Sequence, residues 1–336
     1  MPLPVVEMTS TPPPIPPPRA RAGGLTFSKP GKWGDRLFHG VAFSFSAGII
    51  LLAAGIGLSL WNNSALARKA FGFKFLLGRV WDPVAGRFGA LPFLFGTLLT
   101  SLLALLIAVP TGVGAALFLS ELAPRKISDL IAFLTELLAA VPSVIYGLLG
   151  IFVLVPLVRR YLEPMLGKSL GFLPLFQGPP YGIGFLSAGL VLSIMVIPFI
   201  ISVSREVLLS VPSLLREAAL ALGATRWEVA TTVALPFARS GIAGAIFLAL
   251  ARALGETMAV TMVIGNTPAI SASLFSPGYT MASVLANEFA EASGDLYVSA
   301  LIEIGLVLLA ITILLNTAAR LLVWRTTGGA GGAARL

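Results

Sequence analysis

The chain has 336 residues, of which 57% are hydrophobic and only 11% are charged, and its mean hydropathy is +0.93. Soluble domains carry about 25% charged residues, so this composition excludes a soluble globular fold and predicts a multi-spanning membrane protein. The absence of cysteine and the single histidine exclude disulfides and thiolate metal sites and argue against any metal centre. The net charge of +8 is more typical of membrane topology and anionic headgroup contacts than of nucleic-acid binding.

The two ends of the chain differ from its centre. Residues 1–36 are rich in proline and then in basic residues, so we expect a disordered cytoplasmic tail. This segment lacks the apolar stretch of a secretory signal peptide. Residues 326–336 are rich in glycine and alanine and are predicted to form a flexible tail. The domain between them is predicted to occupy residues 37–325.

Long apolar segments predict an all-α membrane protein with six spans, because barrel strands would be shorter and alternating. The spans are placed near residues 38–60, 94–120, 128–158, 183–204, 240–264 and 298–323. The third is unusually long and contains Pro142, so we expect it to be tilted, kinked or broken. With the N-terminus in the cytoplasm, the inside segments hold more of the lysine and arginine residues than the outside loops. This bias predicts that both ends lie inside.

The segment between the fourth and fifth spans predicts two short helices outside the bilayer, a hairpin over residues 213–236. Pro212 starts the first helix and Gly223 ends it. Thr225 and Glu228 have the spacing of a capping box for the second helix, and Pro236 is predicted to end that helix. One side of the hairpin is apolar. From the residues alone, the hairpin could lie on lipid, pack on its own bundle or insert into a partner protein.

This hairpin resembles the EAA loop of ATP-binding-cassette importer permeases. The matching positions are Glu217, Ala218, Ala219, Gly223, Val233, Leu235 and Pro236, with Val233 in place of isoleucine. The resemblance implies the six-helix fold of type I, MetI-like permeases in the bacterial inner membrane. It also implies that Glu217, Ala218, Ala219, Gly223, Leu235 and Pro236 couple the chain to an ATPase subunit.

Further stretches resemble the phosphate-specific permeases of the PstC type. They read WDP at 81–83, FGALP at 88–92, ELLA at 136–139, VPSVIYG at 141–147 and ARALGETMAV at 251–260. The resemblance implies an importer of inorganic phosphate. Its other parts would be a PstA-like sister permease, two PstB-like ATPase subunits that use ATP and Mg²⁺, and a PstS-like phosphate-binding protein. This chain would itself bind no cofactor and have no catalytic residue, and its one P-loop-like stretch, at 167–169, lacks the required glycine at position 162.

Charged residues within the predicted spans are the candidates for a substrate path. Arg252 and Glu256 are four residues apart and are predicted to share one helix face, with Thr257 beside them. Glu136 and Glu303 are predicted to be further intramembrane carboxylates. Two interpretations stay open: an ion-pair network that fixes helix packing, or an anion path in which Arg252 binds phosphate and Glu256 prevents overly tight binding. Thr261 and Asn266 could add neutral donors.

Other functions remain possible on the sequence alone. A permease for molybdate or sulfate would need similar residues, since charge does not separate these oxyanions from phosphate. A membrane-embedded enzyme using Glu136, Glu256 and Glu303 is a remote alternative, because no nucleophile pattern accompanies these carboxylates. Phosphate permease complexes are also implicated in signalling, and the sequence contains no feature for or against such a role.

Overall fold

The computed structural model describes residues 32–327, which are largely helical. In chain order the helices are α1 (Lys32–Asn63), α2 (Ala65–Phe71), α3 (Lys74–Leu77), α4 (Leu91–Leu117), α5 (Arg125–Ala139), α6 (Ser143–Leu170), α7 (Phe185–Leu209), α8 (Ser213–Ala221), α9 (Arg226–Leu254), α10 (Met258–Ile264), α11 (Met281–Glu288) and α12 (Asp295–Thr327). A π-helical turn extends α4 to Leu122, and further π turns interrupt α6 and α9. Within these residues the only strand-type pairing is one bridge between Asp82 and Arg87.

Six of the helical segments are long and apolar enough to cross a membrane, which confirms the predicted number of spans. They are Arg36–Asn63, Leu91–Leu122, Ser143–Leu170, Phe185–Leu209, Arg226–Leu254 and Asp295–Leu321. Four of them lie where the sequence placed them, with ends shifted by a few residues. The third and fifth are placed differently.

The described residues divide into two units, one ending at Gly55 and the other beginning at Ile56. The described part of the first unit is helical, and its apolar side chains, such as Phe43 and Leu51, are exposed. Most of the two predicted tails lies outside the described residues. The parts that are described are helical: residues 32–36 belong to α1, and α12 continues to Thr327.

The predicted limits of the third span, 128–158, were wrong, whereas the expected break at Pro142 is confirmed. The helix that begins at Arg125 ends at Ala139, and the spanning helix α6 starts only at Ser143. Pro142 explains the break, because it has no backbone donor and disfavours helical backbone at the residue before it. The hydroxyl of Tyr146 donates to the carbonyl of Leu138 at 2.7 Å, which satisfies one acceptor freed by the break.

The predicted limits of the fifth span and of the hairpin's second helix were also wrong. Pro236 does not end that helix, since the helical segment α9 continues through it from Arg226 to Leu254. A π-helical turn over Val229–Ala234 directly precedes the proline, and this wider turn accommodates the ring and its missing donor. The second arm of the hairpin is therefore the start of the fifth span.

Helices α4 and α7 form the most extensive helix pair of the second unit. Small side chains allow their close approach: Ala104 and Ala188 are fully buried, and Gly189 lies against Leu103. In membranes, close packing of small residues is a main source of helix association. This pair forms the centre of a core to which α6, α9 and α10 also contribute.

A second core joins the segment before α4 to α11 and α12. The Trp81 indole donates to Glu288 Oε2 at 2.8 Å, and the Tyr297 hydroxyl donates to the same oxygen at 2.7 Å. Trp81 also packs edge-on against Phe93. Burial raises the pKa of the nearby Tyr279 to about 12, so this phenol stays neutral over the physiological range. The contacts of Glu288 thus join the segment before α4 to the end of α11 and the start of α12.

We predict that Gly96→Ala destabilises the bundle whereas Gly114→Ala on the same helix does not. A Cβ at Gly96 would collide with the backbone carbonyl of Tyr279, while a Cβ at Gly114 would meet no atom within 4 Å. Overpacking of this kind costs about 1–3 kcal/mol. Thermal unfolding of the purified permease in detergent should show a lower midpoint for Gly96→Ala only. Equal unfolding midpoints for the two variants would contradict the close approach of Gly96 to the backbone of Tyr279.

Candidate functional site

The candidate coupling site is the hairpin formed by α8 and the first turns of α9. The chain reverses at Gly223, whose φ of +91° lies in the left-handed region that glycine adopts without strain. The capping box is confirmed: Glu228 N donates to Thr225 Oγ1 at 3.3 Å, and Thr225 N donates to Glu228 Oε2 at 2.7 Å. The local sequence thus specifies both the turn and the start of the next helix.

The turn at Gly223 provides a test of this geometry. A Cβ at this position would meet no atom within 4 Å, so only backbone strain penalises a substitution. We expect Gly223→Val to weaken the hairpin and Gly223→Asn to be better tolerated, since asparagine enters the left-handed region more readily. Hydrogen exchange of residues 213–228 should be faster in the valine variant. Equal exchange rates in the valine and asparagine variants would contradict the requirement for a left-handed backbone conformation at residue 223.

The outer side of the hairpin presents apolar side chains that no described residue covers. No residue of α8 is buried, and Leu214, Leu222 and Trp227 are 73%, 90% and 59% exposed. Glu217 and Ala218 are exposed, while Ala219 is half-buried. At the far end of the motif Leu235 is half-buried and Pro236 is exposed. A cluster of exposed apolar residues of this kind is characteristic of an interaction surface.

The inner side of the hairpin is firmly attached to the bundle. A separate core there contains fully buried Leu208, Ala230 and Ala234, together with Ala116 of α4. The hairpin is therefore fixed to the ends of α4 and α7.

An ion pair reinforces this attachment. The Arg216 guanidinium donates through Nε and Nη2 to Glu121, with a shortest distance of 2.8 Å. Its remaining donors reach the carbonyls of Leu208 and Val211 at 2.7 and 2.8 Å. The Glu121 side chain is only 6% exposed. Sequence analysis missed this pair, because 95 residues separate its members and no local pattern links them.

The predicted pairing of Arg252 with Glu256 was wrong. Helix α9 ends at Leu254, and Gly255 breaks the register before Glu256 is reached. Instead, Glu256 Oε1 accepts a hydrogen bond from Ala259 N at 3.1 Å and so caps α10. Among residues 32–327, no salt bridge involving Arg252 is found. The sequence prediction failed because it assumed one continuous helix.

Arg252 itself is exposed at the end of α9, and its guanidinium carbon lies 6.0 Å from the centre of the Phe199 ring. The neighbouring polar groups follow the chain into α10. Thr257 Oγ1 donates to the Gly255 carbonyl at 3.3 Å, and Thr261 Oγ1 donates to the Thr257 carbonyl at 2.7 Å. Asn266 donates in turn to the Thr261 carbonyl at 3.0 Å. The exposed guanidinium of Arg252, which has no carboxylate partner among the described residues, can bind an oxyanion.

The two other candidate carboxylates, Glu136 and Glu303, lie on other helices than Arg252. Glu136 was predicted to lie within a span, and this was wrong. It lies on the separate helix α5, where it is exposed. Glu303 does lie in the sixth span and is 6% exposed, and its Oε2 has no hydrogen-bond partner among residues 32–327. Its neighbours Leu301 and Ile304 belong to the second core, whereas Ala253 beside Arg252 belongs to the first. No group of three potential metal ligands occurs in the part of the chain that the structure describes.

Comparisons with known proteins agree with these observations. Residues 108–328 match the family model described as binding-protein-dependent transport system inner membrane component. The chain is 46% identical over 301 residues to the phosphate transport system permease protein PstC of Mesorhizobium japonicum, covering 88% of this chain and 92% of that protein. It is 49% identical over 281 residues to the PstC of Xylella fastidiosa, covering 82% and 86%.

The fold is also found in a solved structure. A bacterial alginate ABC transporter, crystallised with an alginate-bound periplasmic protein, contains a chain that aligns with a TM-score of 0.56 and 16% identity. The alignment covers 88% of this chain and 98% of that one, and at this identity it supports the fold alone. The family model and the two PstC relatives show that the chain belongs to the binding-protein-dependent transport system inner membrane components, and among them to the PstC permeases.

Proposed function

We propose that the chain is a translocation subunit of an ATP-driven importer of inorganic phosphate. The observation that carries this proposal is the exposed guanidinium of Arg252 at the end of a membrane-spanning helix, without a carboxylate partner among residues 32–327. A charged side chain at such a position is costly in a membrane and usually faces a bundle interior or a watery cavity. The guanidinium fork matches the oxygens of phosphate.

The proposed path comprises Arg252, Glu256 and Thr257. Arg252 attracts and orients the anion, and Thr257 supplies a neutral donor. One oxygen of Glu256 is engaged by Ala259 N, and its negative charge weakens anion binding so that release remains possible. Glu136 and Glu303 are omitted, since Glu136 is exposed on α5, outside the spans, and Glu303 is buried among residues of the second core.

The proposed complex pairs this chain with a PstA-like permease. Two PstB-like ATPase subunits that use ATP and Mg²⁺ would dock on the hairpin, and a PstS-like protein would deliver phosphate from outside. Both ends of the chain would face the cytoplasm. The exposed Leu214, Leu222 and Trp227 support docking of a soluble partner on the hairpin. Closure of the ATPase dimer would then move the hairpin, and with it the fifth span.

Uptake of labelled phosphate by cells that express the complete complex tests this proposal. We expect excess unlabelled phosphate to suppress the signal, and equal amounts of molybdate or sulfate to leave it nearly unchanged. Suppression by molybdate or sulfate instead would identify the cargo as another oxyanion. Absence of ATP-dependent uptake for all three anions would refute the importer.

A further inference from the structure

A cavity of about 530 Å³ lies between the hairpin and the adjoining end of the bundle. Its walls come from the π turn that follows α4, from the start of α5, from the end of α7 and from the hairpin. Four arginines line it, Arg125, Arg205, Arg216 and Arg226, together with two carboxylates, Glu121 and Asp129. At about 30 Å³ per water molecule, the space accommodates an oxyanion with part of its hydration shell.

The carboxylates pair with two of these arginines. Both oxygens of Glu121 are occupied by Arg216. Arg205 contacts Asp129 at 3.2 Å and Glu206 at 3.8 Å, and these two carboxylates are 74% and 70% exposed. The Nε of Arg205 is buried and has no acceptor among the described residues.

Two of the arginines have no carboxylate partner within the described residues. Arg125 begins α5 and Arg226 begins α9, and both are exposed at the cavity. They come from different walls of the cavity, Arg125 from the bundle side and Arg226 from the hairpin. An anion between them would therefore contact both the bundle and the hairpin.

We propose that this cavity is a second oxyanion site, separate from Arg252, that binds a phosphate group and holds the hairpin against the bundle. Arginine forks form charge-assisted, paired hydrogen bonds with phosphate oxygens, which favours this ligand class. The ligand is either free inorganic phosphate or the headgroup of an anionic phospholipid. The site lies on the cytoplasmic side, a statement that rests on the orientation given under the proposed function.

Binding of labelled inorganic phosphate to the complete complex in phosphatidylcholine nanodiscs, without the binding protein, tests the proposal. Each variant is made in the Arg252→Gln background, so that the proposed path does not contribute. We expect Arg125→Gln or Arg226→Gln to weaken binding at least about tenfold, because each removes a charge-assisted contact. Lys126→Gln is the matched control, since this lysine is the exposed neighbour of Arg125 and does not line the cavity.

A second arm separates the two ligand sources. In phosphatidylglycerol nanodiscs, a lipid headgroup in the site would compete with labelled phosphate, and Arg125→Gln would remove this dependence on lipid. Unchanged binding in the two lipids identifies free phosphate. Added phosphate or phosphatidylglycerol should also slow hydrogen exchange of residues 213–228 in the control but not in Arg125→Gln.

Equal phosphate binding and equal exchange in Arg125→Gln, Arg226→Gln and Lys126→Gln, in both lipids, would overturn the site. Loss of bound ATPase subunits from Arg226→Gln with unchanged phosphate binding would also overturn it, since the arginines would then serve a protein partner. Neither result bears on the importer itself, which is tested by uptake in the chain with native Arg252.

Discussion

Replacement of Arg252 by glutamine is expected to reduce phosphate uptake to near background while the complex stays assembled. Hydrogen bonds to a charged group contribute about 1.5–3 kcal/mol, so loss of the guanidinium fork should lower the rate by up to about a hundredfold. Assembly should persist, because Arg252 is exposed and forms no salt bridge with any described residue. Its removal therefore leaves no buried carboxylate without a partner.

The measurement combines labelled phosphate uptake with co-purification of the ATPase and sister subunits. Arg320→Gln is a suitable control, since Arg320 is an exposed arginine in another membrane-spanning segment. It should transport at the native rate. If Arg252→Gln prevents assembly, Arg252 has a packing role and the path must be sought elsewhere. Native uptake by Arg252→Gln would refute any role for this residue.

Replacement of Arg216 by alanine is expected to uncouple ATP hydrolysis from transport. This arginine joins the hairpin to Glu121 at the end of α4 and to two carbonyls at the end of α7. Loss of one partner from a fully buried ion pair costs roughly 3–5 kcal/mol, and the cost here should be smaller because Arg216 is 21% exposed. The hairpin would still be helical but less rigidly attached, so its motion would move the spans less.

The ratio of phosphate transported to ATP hydrolysed in proteoliposomes measures this coupling. We expect this ratio to fall severalfold for Arg216→Ala and less for Arg216→Lys, which keeps the charge but lacks the fork. Lys126→Gln again provides the control, as an exposed cation near the hairpin. A native ratio for Arg216→Ala would show that the buried apolar contacts alone transmit the motion.

Local features of the chain were predictable because they depend on neighbouring residues. Thr225 and Glu228 are three residues apart, so their capping box could be read directly, and Gly223 marked the turn for the same reason. The placement of residues near prolines was less predictable. Pro142 breaks a helix whereas Pro236 lies within one, shortly after a π turn. Ala230 and Ala234 in that turn pack into the core beneath the hairpin, and the spacing of residues does not reveal such packing.

The sequence alone determined the membrane environment, the six spans and the hairpin motif, since hydropathy and short-range patterns are properties of consecutive residues. Only the tertiary structure decided that Glu256 caps α10 instead of pairing with Arg252, and that Arg216 pairs with Glu121. It also decided that Arg125 and Arg226 line one cavity. These arrangements depend on where helices end and on which helix ends meet in space. Partners that lie far apart in the sequence produce no local or periodic sequence pattern from which their contact could be predicted.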